Sequence, residues 1–317
     1  MLKTISTLVS GIGIFIFSIY LINSSISEDS VLKSPRFTSA INRPLAAMLT
    51  GLISSMITQS SSAINSVAVQ LADKGLLKKN NRYFIVMGTN VGTTITAYFA
   101  VLGNVNFANI FLLLMPVTAI LLMVNKREKY LKTELAVCAF FMIFVGINII
   151  SSTIPNLVSA IDLSVIENGN KLKLLFFSTL ITAVCQSSSV ISMIIVMLCH
   201  SGTFGVETAM FLIMGANIGT CTTAYLAAIG KSGDGKAVAT FNLIFNLVGL
   251  ATHTFAYYTG LLDWFINMSV AIDTKIAMYH TFFNLSTILF FIPVFYNKSP
   301  GNGKEKPTYR RFRKLIL

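Results

Sequence analysis

The tetrapeptide Gln59-Ser60-Ser61-Ser62 recurs as Gln186-Ser187-Ser188-Ser189, and each copy lies within a long apolar stretch. The offset, 186 − 59 = 127 residues, also carries GTNVGT at 88–93 onto GANIGT at 215–220 without a gap. Set column against column, 59–100 and 186–227 share 18 identities in 42 positions. A register held over that length makes the chain two copies of one unit, so any fold it adopts must give both copies the same local structure. The likeness fades beyond this window, though FSIYLI at 17–22 still resembles FVGINI at 144–149. The period is far longer than the 20 to 50 residues of solenoid repeats.

The medium follows from composition. Hydrophobic residues make up 54% of the 317 and charged residues only 11%, with a mean hydropathy of +0.72. Soluble domains carry roughly 25% charged residues, so this is an integral membrane protein. The first apolar run, 5–22, follows one Lys, lacks a small-residue cleavage site, and has the length of a spanning helix, not of a signal h-region. The net charge of +12 sits in short connectors and the tail with no basic face on any one element, which argues against nucleic acid and for positive-inside topology. Cys138, Cys185, Cys199 and Cys221 fall in or beside apolar segments without C-x-x-C spacing, and read as small buried residues.

Apolar segments run at 5–24, 44–72, 84–103, 107–125, 134–158, 174–199, 210–230, 237–261 and 276–295. Segments 44–72 and 174–199 each carry the Gln-Ser-Ser-Ser run at mid-length. Polar, backbone-competing residues there predict a broken or re-entrant hairpin, tolerated only where it is buried in protein or lines a wet cavity. The expected fold is therefore all-α, with about seven crossing helices and two re-entrant hairpins. Charge gives an independent check on orientation. Connector 73–83 carries Lys74, Lys78, Lys79 and Arg82 against Asp73, whereas its counterpart 200–210 carries Glu207 and His200. If both hairpins return to the face they entered, connectors 73–83 and 126–132 and the tail (Lys304, Lys306, Arg310, Arg311, Arg313, Lys314) all fall inside, and the connectors with Asp162, Glu167, Glu207, Asp263 and Asp273 fall outside. Three crossings plus a hairpin make each repeat odd, so the second is inverted. The units are 1–127, 128–262, a final helix in 263–297 and a basic cytoplasmic tail in 298–317. The N-terminus is expected outside and the C-terminus inside.

The kept columns are Gln, Ser, Gly, Asn, Thr, Ala and Tyr, and no charge is kept among them. Hydroxyls, amides and backbone groups at a helix break serve both kinds of ion: N–H groups and half-helix N-termini an anion, carbonyl and hydroxyl oxygens a hard cation. Glycines 88, 92, 215 and 219 let backbones approach. Interhelical hydrogen bonding by Ser and Gln is the structural alternative, but glue does not require matching residues at identical spacing. An enzyme is disfavoured, because Ser187, Ser188 and Ser189 share a segment with His200 but lack a G-x-S-x-G elbow, and no carboxylate lies in the interior of an apolar span to bind a catalytic metal, Glu134 standing at the very start of its segment. Trp264 with Tyr257 and Tyr258 reads as an interfacial anchor, and His200, His253 and His280 as interfacial or packed histidines.

At these residues the chain resembles the type II sodium-phosphate cotransporter family, whose hallmark is paired QSSS motifs in inverted repeats, each followed by a G-x-N-x-G-T segment. The resemblance covers roughly 5–295 and is strong only in the two repeat windows. It implies a sodium-coupled inorganic phosphate symporter of the plasma membrane with no cofactor and Na⁺ as the coupling ion. Phosphate would lie between Gln59, Ser60, Ser61, Ser62 and Gln186, Ser187, Ser188, Ser189. Na⁺ would meet oxygens drawn from Thr89, Asn90, Thr93, Asn217, Thr220 and Thr222. Phe241-Asn242, Phe245-Asn246 and Phe283-Asn284 are similar to the family's Phe-Asn elements, with Asn246 and Asn284 weaker candidates. The chain lacks the large extracellular loop of vertebrate members and the aspartate that electrogenic ones carry beside a Phe-Asn element. A related anion transporter or a phosphate exporter of the same fold is the alternative. A non-transporting membrane sensor or scaffold, its tail recruiting a partner or anionic lipid, is a third reading. Implied partners are phosphate, Na⁺ and membrane lipid; a homodimer is left open.

Overall fold

The computed structural model describes residues 2–25, 41, 43–78, 80–103, 116–117, 120, 128–160, 164–167 and 169–296. Among these the regular structure is all helical: α1 (Leu2–Ser25), α2 (Pro44–Thr58), α3 (Ser61–Asp73), α4 (Asn81–Gly92), α5 (Ile95–Gly103), α6 (Glu128–Ala160), α7 (Ser164–Glu167), α8 (Lys171–Cys185), α9 (Ser188–His200), α10 (Val206–Ala227), α11 (Gly233–Tyr258), α12 (Asp263–Ile266) and α13 (Ile272–Tyr296). Six stretches among the described residues have the length and apolarity of membrane spans: Leu2–Ile22, Asn81–Leu102, Glu134–Asn156, Val206–Ala227, Gly233–Tyr258 and Ile272–Phe295. The chain is a multi-pass, all-α membrane protein. The expected segment at 107–125 falls almost wholly outside the described residues, and the tail 298–317 wholly so.

The duplication read from sequence is also structural. Adding 127 to the bounds of α2 gives 171–185, and to those of α3 gives 188–200, which are the bounds of α8 and α9. In both copies the interruption has one cause. Gln59 (φ 53°, ψ 24°) and Gln186 (φ 53°, ψ 23°) are left-handed, and they alone among described non-glycine residues have positive φ. A left-handed residue ends a helix. The next residue is extended and starts another, since the Ser60 hydroxyl accepts from Ala63 N at 3.1 Å and the Ser187 hydroxyl from Val190 N at 3.4 Å. Gln-Ser is thus a stop and a start in two residues, with the serine as N-cap.

Glycine sets how the hairpins lie. A Cβ built on Gly88 would stand 1.9 Å from Met48 O, and one on Gly92 2.2 Å from Leu52 O. In the second copy Gly215 faces Leu175 O at 2.4 Å and Gly219 faces Thr179 O at 2.5 Å. These partners are again 127 apart. Because the partner number rises with the glycine number, α2 runs parallel to α4 and α8 parallel to α10. One position breaks the match informatively: Gly51 approaches Ile85 O, whereas its counterpart Ser178 donates to Leu212 O at 2.6 Å.

Parallel packing makes each broken helix a hairpin. Asn81 Nδ2 donates to Ile41 O at 2.9 Å, placing the entry to α2 beside the start of α4, and only residues 74–80 separate the end of α3 from that point. Likewise Lys171 lies 3.3 Å from Thr208 Oγ1 and 3.7 Å from Glu207, and residues 201–205 return α9 to the start of α10. The two mouths lie at opposite ends of α10, a helix of 22 residues and so about 33 Å. The first adjoins the loop after α10, where Ser232 N donates to Asp73 Oδ1 at 2.7 Å and Lys231 stands 3.6 Å from Asp73. The Ser232 N–H, assisted by Lys231, holds the Asp73 carboxyl below its ordinary range. The second mouth adjoins the start of α10 itself.

Outside the hairpins, α1 and α6 pair closely at glycine, since a Cβ on Gly146 would meet Gly11 O at 2.9 Å. An aromatic cluster of Tyr83, Phe241, Phe291 and Phe295 joins α4, α11 and α13, with Tyr83 4.8 Å from both Phe241 and Phe295. Beside it Arg82 is 2% exposed, and its guanidinium donates to Asp234 Oδ1 at 2.7 Å, Asp234 O at 3.1 Å and Tyr83 Oη at 3.1 Å. Asp234→Ala strands that buried cation and is expected to destabilise by about 2 kcal/mol, below the 3–5 of a fully buried pair because Asp234 is partly solvated. Arg82→Met, which removes the charge along with its partner's burden, will cost less in the same detergent melting experiment.

Candidate functional site

The two hairpin tips meet. Ser62 Oγ donates to Gln186 O at 3.3 Å, and Ser189 Oγ donates to Gln59 O at 2.8 Å. Since 62 + 127 = 189 and 59 + 127 = 186, these two bonds exchange under the repeat. Side-chain contacts between the tips are supplemented by packing of α3 on α10 and of α9 on α5.

All eight residues of the two motifs therefore lie at one locus, in distinct roles. Ser60 and Ser187 cap helices, while each hydroxyl keeps its own proton to donate. Ser62 and Ser189 tie one hairpin to the other. Ser61 and Ser188 are buried, at 3% and 5% exposure, and make no side-chain hydrogen bond among the described residues. The first-turn N–H groups of α3 and α9 also lack intrahelical acceptors, as at any helix start. Two positive helix ends converge here, each equivalent to about half an elementary charge. This arrangement has the chemistry of an anion site made from neutral groups. Gln59 is buried, its carboxamide donating to Met56 O and accepting from Thr96 Oγ1 at 2.6 Å; Gln186 is exposed.

The cation candidates flank this locus in two groups. Thr89 Oγ1 lies 2.8 Å from Asn65 Oδ1, Asn90 Nδ2 donates to Asn242 Oδ1 at 3.0 Å, and Thr93 Oγ1 donates to Asn90 O at 3.2 Å. In the other copy Asn217 Oδ1 is 3.0 Å from His280 Nε2, Thr220 Oγ1 donates to Ala216 O at 2.9 Å, and Thr222 is half-buried without a hydrogen bond among the described residues. Asn246 and Asn284 are fully buried, and the side-chain oxygen of each has no partner among the described residues. No group of three or more His, Cys, Asp or Glu suited to a metal occurs among them either. Any cation held here would meet neutral oxygens, and oxygen is the ligand atom a hard ion takes.

Some residues at the site escaped the sequence reading. Thr96 bonds Gln59 and also lies 3.3 Å from Ser189 Oγ, so it touches both motifs. Its signal was available, because Thr96 and Thr223 are an identical column of the repeat. Thr281 lies 2.9 Å from Thr94 Oγ1 and 3.2 Å from Tyr98 Oη. Thr281 and His280 stand outside the duplication, so no internal comparison marks them. The expected single helix over 84–103 is two, α4 and α5, parted at Thr93 and Thr94, whereas its counterpart α10 is continuous. Of the cysteines, Cys138, Cys199 and Cys221 are buried as expected, but Cys185 is exposed because it ends α8 at the open tip.

Two hairpins meeting tip to tip, with polar uncharged side chains and helix starts between them, make this a multi-pass membrane protein built around a pair of broken helices. The sequence profile of the Na⁺/Pi-cotransporter family matches residues 14–152 and 163–272, and the chain belongs to that family. It is similar, at 28% identity over 80% of its own length and 82% of the relative's, to the uncharacterized protein YqeW of Bacillus subtilis (strain 168). It is 37% identical to sodium-dependent phosphate transport protein 2C of Rattus norvegicus over 27% of this chain and 13% of that one. With sodium-dependent phosphate transport protein 2A of Ovis aries it shares 34% identity over 35% of this chain and 18% of that one. These two matches span less than a fifth of the mammalian transporters. No solved structure matches significantly.

Proposed function

We propose that the protein is a sodium-coupled symporter of inorganic phosphate in the cell membrane, working by alternating access. The observation that carries this reading is the reciprocal pair of hydrogen bonds that joins the tips and sets two helix N-termini against one locus. Phosphate would lie there, receiving the Ser61 and Ser188 hydroxyls, the first-turn N–H groups of α3 and α9, and the free protons of Ser60 and Ser187. Gln59, Gln186, Ser62 and Ser189 would shape the cradle. Co-bound Na⁺, at oxygens of Thr89, Asn90, Thr93, Asn217, Thr220 and Thr222, would offset the anion's charge. A permanent Arg is then unnecessary, and the empty carrier is left with no unpaired buried ion.

Support for the second repeat being inverted comes from the hairpin mouths at opposite ends of α10. The first mouth carries Lys74, Lys78, Arg82 and Lys231, which favours a cytoplasmic side for it, an extracellular N-terminus and a cytoplasmic C-terminus. The test is phosphate uptake by proteoliposomes under an imposed inward Na⁺ gradient. Uptake at least tenfold above that with K⁺ or choline is expected. Equal uptake in the three would sink sodium coupling, and full displacement of labelled phosphate by equimolar sulfate would move the reading to a related anion.

A further inference from the structure

The two half-sites match in sequence and differ in bonding. Gln59 is 2% exposed, and Thr96, itself fully buried, grips its carboxamide while reaching Ser189 of the other hairpin. At the positions 127 residues on, Gln186 is exposed and makes no side-chain hydrogen bond among the described residues, and the Thr223 hydroxyl is shut away from solvent with no partner among them. The residue before each glutamine follows suit, Thr58 being 6% exposed and Cys185 exposed. The supporting helix differs as well, broken just before Thr96 and straight through Thr223. The difference does not lie in these side chains themselves, because Gln59 and Gln186, and Thr96 and Thr223, are the same residues. What differs is conformation.

We infer that Thr96 and Thr223 are a matched pair of latches, each engaged in one of two end states. Here Thr96 holds the first tip closed. Exchanging the two copies of the repeat maps its bonds onto Thr223, which would then donate to the Gln186 carboxamide and approach Ser62, while Gln59 is released. A buried hydroxyl left unpaired is costly, and making that bond in the opposite state lowers that state relative to this one. Two states of similar energy joined by an exchange of equivalent bonds are what a carrier visiting both membrane faces requires. The inference rests on the alternating-access reading and names residues that set its equilibrium.

Because valine copies the shape of threonine without the hydroxyl, the two variants carry opposite signs. Thr96→Val removes bonds made only in this state, and Thr223→Val removes a bond made only in the other. The measurement is hydrogen–deuterium exchange of the full chain in lipid nanodiscs, read on the tip segments 56–64 and 183–191. In the unaltered protein the second tip exchanges faster. In Thr96→Val the ratio of second-tip to first-tip exchange should fall, and in Thr223→Val it should rise, each about five- to tenfold for loss of a hydrogen bond worth roughly one decade at most. Because each ratio is internal to one sample's folded protein, a lower yield of either variant does not affect it. No shift, shifts of the same sign, or shifts of reversed sign overturn the proposal. Exchange needs no phosphate, so the expected pattern in a protein without phosphate uptake would leave the latches standing and the substrate reading fallen.

Discussion

Gly88→Ala will lower the protein's stability by more than about 3 kcal/mol, the upper part of the range for overpacked cores, with Gly215→Ala close behind. The added Cβ would stand 1.9 Å from Met48 O in the first case and 2.4 Å from Leu175 O in the second. Both obstacles are backbone carbonyls of a packed helix, so no side-chain rotation relieves them; α2 must move off α4, or α8 off α10. That movement displaces the hairpin tip as well as loosening the pair. Gly13→Ala is the matching control, with nothing within 4 Å of its Cβ in the middle of α1. It should be neutral or gain up to about 1 kcal/mol from the better helix former. Thermal unfolding in detergent, read by loss of the monodisperse peak, separates the two. Equal melting of Gly88→Ala and Gly13→Ala would show that the close approach of α2 and α4 does not exist.

The glycines also show where sequence reasoning reaches and where it stops. Their spacing, kept in both copies, announced a close backbone approach but not the partner. That the partner is the first limb of the same copy's own hairpin, in parallel, is a tertiary fact. The Gln-Ser-Ser-Ser runs were legible as helix breaks because a polar run in an apolar segment conflicts with continuous burial. The division of labour inside them was not legible: three adjacent serines look alike in sequence, yet one caps, one stays free and one crosses to the other hairpin. The break at Thr93 and Thr94 was hidden for a different reason. Its counterpart around Thr220 and Cys221 is unbroken, and Thr94 and Ile95 are replaced there by Cys221 and Thr222, so the repeat held no second copy of the break to read. His280 and Thr281, on a helix outside the repeat, carry no internal partner for comparison, and only packing brings them to Asn217 and Thr94.

Ser61→Ala and Ser188→Ala should each reduce phosphate transport by one to two orders of magnitude and leave stability nearly unchanged. A hydrogen bond to an anion is worth about 1.5–3 kcal/mol, and each 1.4 kcal/mol is tenfold in affinity. Stability is spared because neither hydroxyl bonds protein, so its loss orphans nothing. The neighbouring serines add a loss of stability. Ser60→Ala and Ser187→Ala remove N-caps together with a proton offered to phosphate and should cost about 1 kcal/mol of stability as well as transport, while Ser62→Ala and Ser189→Ala cut the bonds between tips and loosen both hairpins together. Position along the tripeptide, not serine content, therefore decides whether melting suffers along with transport. Uptake kinetics and melting on the same six variants test it. The site assignment fails if Ser61→Ala and Ser188→Ala transport phosphate as well as the parent. If each single variant retains half the parent's activity, then the tips act as two independent sites and the joined pair of hairpins has been misread.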